Sequence, residues 1–367
     1  MNKFAASIDN VTALRKFLDE IARVDKSALS FSTGLRAAVF VMAPISLGFW
    51  VGHPELVYAT LGAVFVTNTE GPPASALPLR IVLLACFTEA IAFGLGTLAG
   101  TAGLLAIPLM GIGVFVALLA SGNRKLTMVG TFTAIAFAVG VGLPGASLSV
   151  AGERLWLSLA GGLWALLGAW SHQLVVRKRV SGTASRVLDP VGERLRHYFT
   201  PAPLGSEEFR HAVAVGVASS AGLTIGFVLG LPRDFWIVVT IIIAMRSRLG
   251  PTVNTTAMIV VGTIAGAAIA GAITLEVSNV FLLEILMFAF AITLFSTRGV
   301  NFGLVQASFT PFIIILLNIL YPGEWQLAEV RILAVAIGGA IAVATVYLIG
   351  IRRVIDGLRK KAVRQPE

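Results

Sequence analysis

Glu89 is the residue whose setting most demands a chemical explanation. It sits in an apolar run between Phe87 and Phe93, where a charged side chain in a membrane costs at least about 2.5 to 3.5 kcal/mol on insertion scales. Such a group should face the protein interior, either protonated or paired with a cation such as Arg80. Cycling between those states as access alternates would couple solute movement to protons; a purely structural hydrogen bond is the other reading. Two further clusters offer chemistry for an anion. Thr67-Asn68-Thr69-Glu70 runs into Gly71-Pro72, and Arg246-Ser247-Arg248 runs into Gly250-Pro251, with Asn254 just beyond. The first supplies amides, hydroxyls and an acid, the second two guanidinium forks suited to a carboxylate. Arg246 and Arg248 would attract the anion, and Thr67, Asn68 and Asn254 would orient it; the other reading is two loops whose arginines only obey the inside rule. Gln306 and Thr310, with Thr131, Thr133 and Ser308, put polar groups into apolar runs. They would line a pathway or bond between helices, as the close approach allowed by Gly262-x-x-x-Gly266 would permit. Arg154 and Arg331 would guide an anion outward or bind headgroups, and headgroups are favoured.

Catalytic patterns are absent. The four histidines form no His-Glu-x-x-His, no Gly-rich loop runs into Lys-Ser/Thr, and the single Cys86 allows neither a disulfide framework within the chain nor a Cys-rich metal site. The expectation is no enzyme, no metal and no cofactor.

The elements that position these residues are membrane spans. A chain of 367 residues that is 56% hydrophobic and 13% charged, with a mean hydropathy of +0.87, does not fit a water-facing fold. Apolar runs fall at 33–50, 56–68, 77–100, 104–120, 126–143 and 155–174, then at 212–231, 235–245, 254–274, 280–295, 302–320 and 332–350. The fold class expected is all-α, a polytopic membrane protein of about twelve transmembrane helices. Twelve crossings sort 25 of the 28 Lys and Arg residues onto one side, leaving only Arg154, Arg233 and Arg331 on the other. That bias puts both termini in the cytoplasm. The net charge of +9 then reports topology and attraction to anionic membrane lipids rather than nucleic acid binding. Residues 1–32 show no apolar core and cleavage site of a signal peptide, so this segment is expected to stay cytoplasmic. Trp50, Tyr58, Trp156, Trp236, Tyr321 and Trp325 all fall at outer ends of spans, where an interfacial belt is expected.

The two halves match one another. Pro54 pairs with Pro232, Gly71-Pro72 with Gly250-Pro251, Pro144-Gly145 with Pro322-Gly323, and Arg154 and Gly161-Gly162 with Arg331 and Gly338-Gly339, all at offsets of 177 to 179. Six spans per unit is even, so the chain should be two parallel six-helix repeats. The organisation expected is an amphipathic cytoplasmic segment (1–32), a first repeat (33–174), a basic connector (175–208), a second repeat (209–350) and a basic tail (351–367). Val187, Val191, Leu195 and Phe199 in the connector, and Ile351, Val354, Ile355 and Leu358 in the tail, recur at helical spacing and would lie along the membrane surface. The second run of each repeat is too short for a core about 30 Å thick, so its polar inner end should stop inside protein, near its counterpart.

Leu231-Pro232, Trp236, Thr240, Gly250-Pro251-Thr252 and Val261-Gly262-Thr263-Ile264-Ala265-Gly266, followed by Arg331 with Gly338-Gly339, resemble the fusaric acid resistance family and its aromatic acid exporter relatives. Ile259 and Val260 stand where that family often carries an arginine before Gly-Thr, and the short connector replaces a large cytoplasmic domain found in many relatives. The resemblance implies efflux of aromatic or other amphipathic organic acids across a bacterial inner membrane, with proton coupling through Glu89 added from the residues above. It also implies a periplasmic adaptor in some members; a homo-oligomer stays open. The distantly similar plant malate channels supply the alternative of a voltage-driven organic-anion channel or uniporter. A non-transporting membrane scaffold is a third reading.

Overall fold

The computed structural model describes residues 15, 17, 19–72, 77–120, 126–179, 202–320 and 326–363. Among these the protein is all-helical, with no strand. Twelve α-helices follow the twelve apolar runs. In the first half these are α1 (Phe31–Val51), α2 (Val57–Glu70), α3 (Leu79–Gly100), α4 (Ala106–Ala120), α5 (Thr127–Gly142) and α6 (Leu148–Arg179). In the second they are α7 (Glu207–Val228), α8 (Phe235–Ala244), α9 (Leu249–Glu276), α10 (Val280–Ser296), α11 (Phe302–Leu320) and α12 (Leu327–Val363). Seven stretches are long and apolar enough to cross a membrane by themselves: α1, α3, Gly103–Ala120, α7, α9, α11 and Leu327–Ile351 of α12. Helices α5, α8 and α10 are apolar but shorter.

Local chemistry sets the helix ends. Gly52 takes a left-handed conformation (φ 77°) and donates its N–H to Gly48 O, closing α1. Ser206 caps α7 by accepting the Phe209 N–H, and Glu207 and Glu208 follow in the first turn, where acids meet the positive end of the helix dipole. The chain reverses into α8 through Arg233, whose φ is 59°.

Helices pair in a pattern that recurs six helices later. Helix α2 packs on α6 as α8 packs on α12, α3 on α5 and α6 as α9 on α11 and α12, and α4 on α7 as α10 on α1. The glycine pairs explain two of these contacts. Gly161 rests against the Ala59 backbone of α2, and Gly338 against Ile237 of α8, where an added Cβ would come within 2.6 Å of the Ile237 carbonyl oxygen. The two short helices are the most enclosed elements. Ala63 in α2 and Ile237, Val238 and Ile241 in α8 are fully buried.

Helix α12 continues without a break from the membrane stretch to Val363, so the tail extends the last helix where a separate surface segment was expected. The amphipathic residues of the connector, and the outer residues Tyr321, Pro322, Gly323 and Trp325, lie outside the described residues.

Candidate functional site

The lengths of α2 and α8 decide where polar groups sit. Their 14 and 10 residues give helices of about 21 and 15 Å at 1.5 Å per residue, against a hydrocarbon core of about 30 Å. Their ends therefore fall within the depth of the bundle. The arginine-rich face, which carries the 246–248 turn, is taken as inner.

The inner end of α2 is closed by charge. Arg36 of α1 donates through Nη2 to both Glu70 oxygens, at 3.0 and 2.8 Å, and each side chain is only 10% exposed. Arg298, in the turn between α10 and α11, donates to the Thr67 carbonyl and lies over the Phe295 ring. Burial pulls its guanidinium down to about 10, with Glu70 opposing that shift and Arg36 adding to it. Asn68 spends its amide on the Val64 carbonyl of its own helix, at 2.8 Å. Beside them the Thr69 hydroxyl donates to Glu89 Oε1 at 2.5 Å, while Glu89 Oε2 is buried without a partner. Glu89 is thus interior, as expected, but its partner is Thr69 and not Arg80. Arg80 stands nine residues earlier on the same helix, about 13 Å toward the inner end.

The inner end of α8 opens instead. Two adjoining cavities, of about 530 and 550 Å³, share Glu207, His211, Met245, Arg246, Ser247 and Arg248. The first extends to Arg210 and to Tyr347 and Ile351 of α12. The second reaches Thr127, Thr131 and Leu118 of the first half. Buried Thr252 shapes this turn. Its hydroxyl lies 2.8 Å from the Arg248 carbonyl oxygen and accepts the Arg246 N–H at 3.0 Å, which leaves the Arg246 and Arg248 side chains exposed. Asn254 lines neither cavity. The expectation that the two inner helix ends share one pocket is therefore not met, because Arg36, Glu70 and Arg298 fill the space at the end of α2.

It is at their outer ends that α2 and α8 face a common space. A cavity of about 90 Å³ is walled by Tyr58, Leu61 and Phe65 of α2, Phe235, Trp236 and Val239 of α8, and Phe309 and Phe312 of α11, with Arg154 and Arg331 at its edge. Both arginines are buried, at 1% and 2% exposure, which overturns the headgroup reading. Arg154 donates to the Pro144 carbonyl at 2.6 Å and to Thr97 Oγ1 at 3.2 Å, and stacks over Tyr58 with 5.0 Å to the ring centroid. Arg331 lies over Trp236 at 5.2 Å, and its Nε and Nη1 are buried without a hydrogen-bond partner. No ion pair holds either one among the described residues. Trp236 is likewise buried rather than interfacial, whereas Trp50 and Trp156 are exposed as the belt predicts.

Gln306 and Thr310 line none of these spaces. They are buried where α11 crosses α9, their Cβ atoms against Gly262 and Gly266, the helix-contact alternative raised for them. Arg36 and Arg298 went unassigned in the sequence, and the burial of the Arg154/Arg331 pair was missed. The repeat-matched Arg to Gly-Gly spacing was the signal for that pair, since Gly161 and Gly338 seat α6 and α12 against α2 and α8.

Multiple apolar helices, buried arginines and cavities within the bundle define a multi-pass membrane protein. Residues 220–345, from the middle of α7 into α12, match the model of a family described as fusaric acid resistance protein-like. The resemblance carried by Trp236, Gly250-Pro251 and Arg331 is thereby shown over that stretch, and with the apolar helices it points to a membrane transporter-type protein. Comparison with curated proteins gives no match, and comparison with solved structures gives none.

Proposed function

We propose that this chain is an inner-membrane efflux transporter for aromatic or other amphipathic organic acids. It is built as two parallel six-helix repeats spanning the bilayer twelve times, with both termini in the cytoplasm and no enzymatic activity. The observation that carries this reading is the placement of α8. A wide arginine-rich space lies at its inner end, and an aromatic cavity with two buried guanidinium groups lies at its outer end. An acid attracted by Arg246 and Arg248 would pass along the seam between the halves toward the outer aromatic cavity. The apolar middle of α8, with Ile237, Val238 and Ile241 fully buried, separates the two spaces. That separation supports a carrier with alternating access over an open channel. Glu89, hydrogen-bonded to Thr69 across the α2–α3 contact, would carry the proton if transport is coupled. An inside-negative potential already favours exit of a monoanion by about 2.3 kcal/mol per 100 mV, so coupling serves direction and yield rather than feasibility.

Flux of a panel of aromatic acids into proteoliposomes, with pH and voltage gradients imposed separately, tests this reading. Saturable flux driven by a pH gradient, and lost in Glu89→Gln with the fold intact, is the expected result. Flux with no acid under either gradient would reject transport altogether, and voltage-driven current undiminished in Glu89→Gln would reject proton coupling.

A further inference from the structure

The two repeat-matched arginines at the outer seam have the same surroundings in outline but not in hydrogen bonding. Arg154 is committed through both terminal nitrogens: Nη2 clasps the Pro144 carbonyl and sits 3.4 Å from Tyr58 OH, and Nη1 reaches Thr97 Oγ1, which leaves only Nε without a partner. Among the described residues Arg331 has aromatic neighbours in place of acceptors, with Trp236 at 5.2 Å and Phe309 at 6.0 Å. Its Nε and Nη1 are orphaned although the side chain is 98% removed from solvent, at 2% exposure. An unpaired buried guanidinium is costly, and a buried donor left unsatisfied adds to that cost. Such an arrangement is stable when the missing acceptor arrives with a ligand. The walls around it, Phe65, Phe235, Phe309, Phe312 and Leu316, are apolar and hold no acid.

We propose that Arg331 is the anion-binding residue of this cavity and Arg154 its structural clasp, so that the site takes one carboxylate carried on a flat apolar body. The assignment rests on the transport reading for its purpose but not for its test. The guanidinium fork meets the two carboxylate oxygens side by side, and the apolar body lies against Trp236 and Phe309. A second anionic group on the ligand would find Arg154 already occupied, so monoanions are selected over dianions. At about 90 Å³ the cavity is smaller than the roughly 300 to 1,000 Å³ of sites that enclose drug-sized ligands. The bound state therefore has a wider seam.

Binding to the purified full chain in detergent separates these roles. Benzoate, benzamide and chloride are titrated while tryptophan emission and the thermal midpoint are followed, with Trp236→Phe identifying the responding ring among the six tryptophans. Benzoate should quench Trp236 and raise the midpoint, whereas neutral benzamide and chloride at equal concentration should do neither. Arg331→Gln should weaken benzoate at least about tenfold at an unchanged elution volume, and Arg331→Lys should weaken it less. Arg154→Gln should lower the midpoint while keeping benzoate affinity within about threefold. Equal responses to benzoate and benzamide, or benzoate affinity unchanged in Arg331→Gln, overturn the assignment. Benzoate binding lost in Arg331→Gln by a protein that carries no acid in liposomes would uphold the site and reject the transport reading.

Discussion

Replacing Glu70 by Gln should destabilise the protein more than replacing Arg36 by Gln, although each change removes the same ion pair. The pair is bidentate, at 2.8 and 3.0 Å, and both side chains are about nine-tenths shielded, at 10% exposure each. Breaking a buried pair from one side leaves an uncompensated charge, which costs about 3 to 5 kcal/mol. Without Glu70 two guanidinium groups lose their carboxylate. Arg36 loses its partner, and Arg298, whose Nε and Nη2 are already unsatisfied, loses an acid that raises its proton affinity. The full 3 to 5 kcal/mol, roughly, is expected for Glu70→Gln. Without Arg36 the carboxylate still faces Arg298, so that change should cost only about 1 to 3 kcal/mol, the range for a lost charged hydrogen bond. The double variant should be less damaged than the sum of the singles by about 0.5 to 3 kcal/mol. Unfolding of purified protein in mixed micelles, titrated with SDS and followed by helical circular dichroism, gives all four corners of the cycle. Equal losses from the two singles, the reverse order, or strict additivity in the double would refute the three-charge account of how α2 is closed.

Two further sets of changes probe how the short helices are seated and opened. Gly161→Val and Gly338→Val each drive a side chain into the backbone of α2 or α8. Either should cost at least about 1 to 3 kcal/mol as an overpacked contact. Gly152→Ala, on the same helix as Gly161 but with nothing within 4 Å of the new Cβ, should be neutral or stabilising by up to about 1 kcal/mol; thermal midpoints in detergent rank the three. Thr252→Val removes the hydroxyl that ties both Arg246 and Arg248 to the start of α9. It should speed limited tryptic cleavage at that turn several-fold without changing global helicity, and an unchanged cleavage rate would show that the turn is held by other contacts.

Hydropathy and the Lys/Arg distribution were sufficient to find α1 to α12, because each must satisfy its own backbone hydrogen bonds along one contiguous apolar run. Local sequence likewise marked α2 and α8 as short and Glu89 as interior. Partners were not legible. Glu89 meets Thr69 rather than Arg80 because α2 lies against α3, whereas nine residues along one helix separate Glu89 from Arg80. Gln306 and Thr310 read as pathway lining, yet the glycines opposite them on α9 bring two backbones close and leave no room for a solute.

The amino-acid sequence by itself determined what kind of solvent this chain needs, which stretches form its apolar helices, and that its two halves carry the same signature of short helix, outer arginine and paired glycines. Each of these is a property of local composition or spacing. How fully each outer arginine is hydrogen-bonded was decided only by packing. Arg154 and Arg331 occupy matching positions in the sequence, but hydrogen bonds depend on what other helices bring within about 3 Å. There one finds a carbonyl and a hydroxyl, and the other, among the described residues, two aromatic rings.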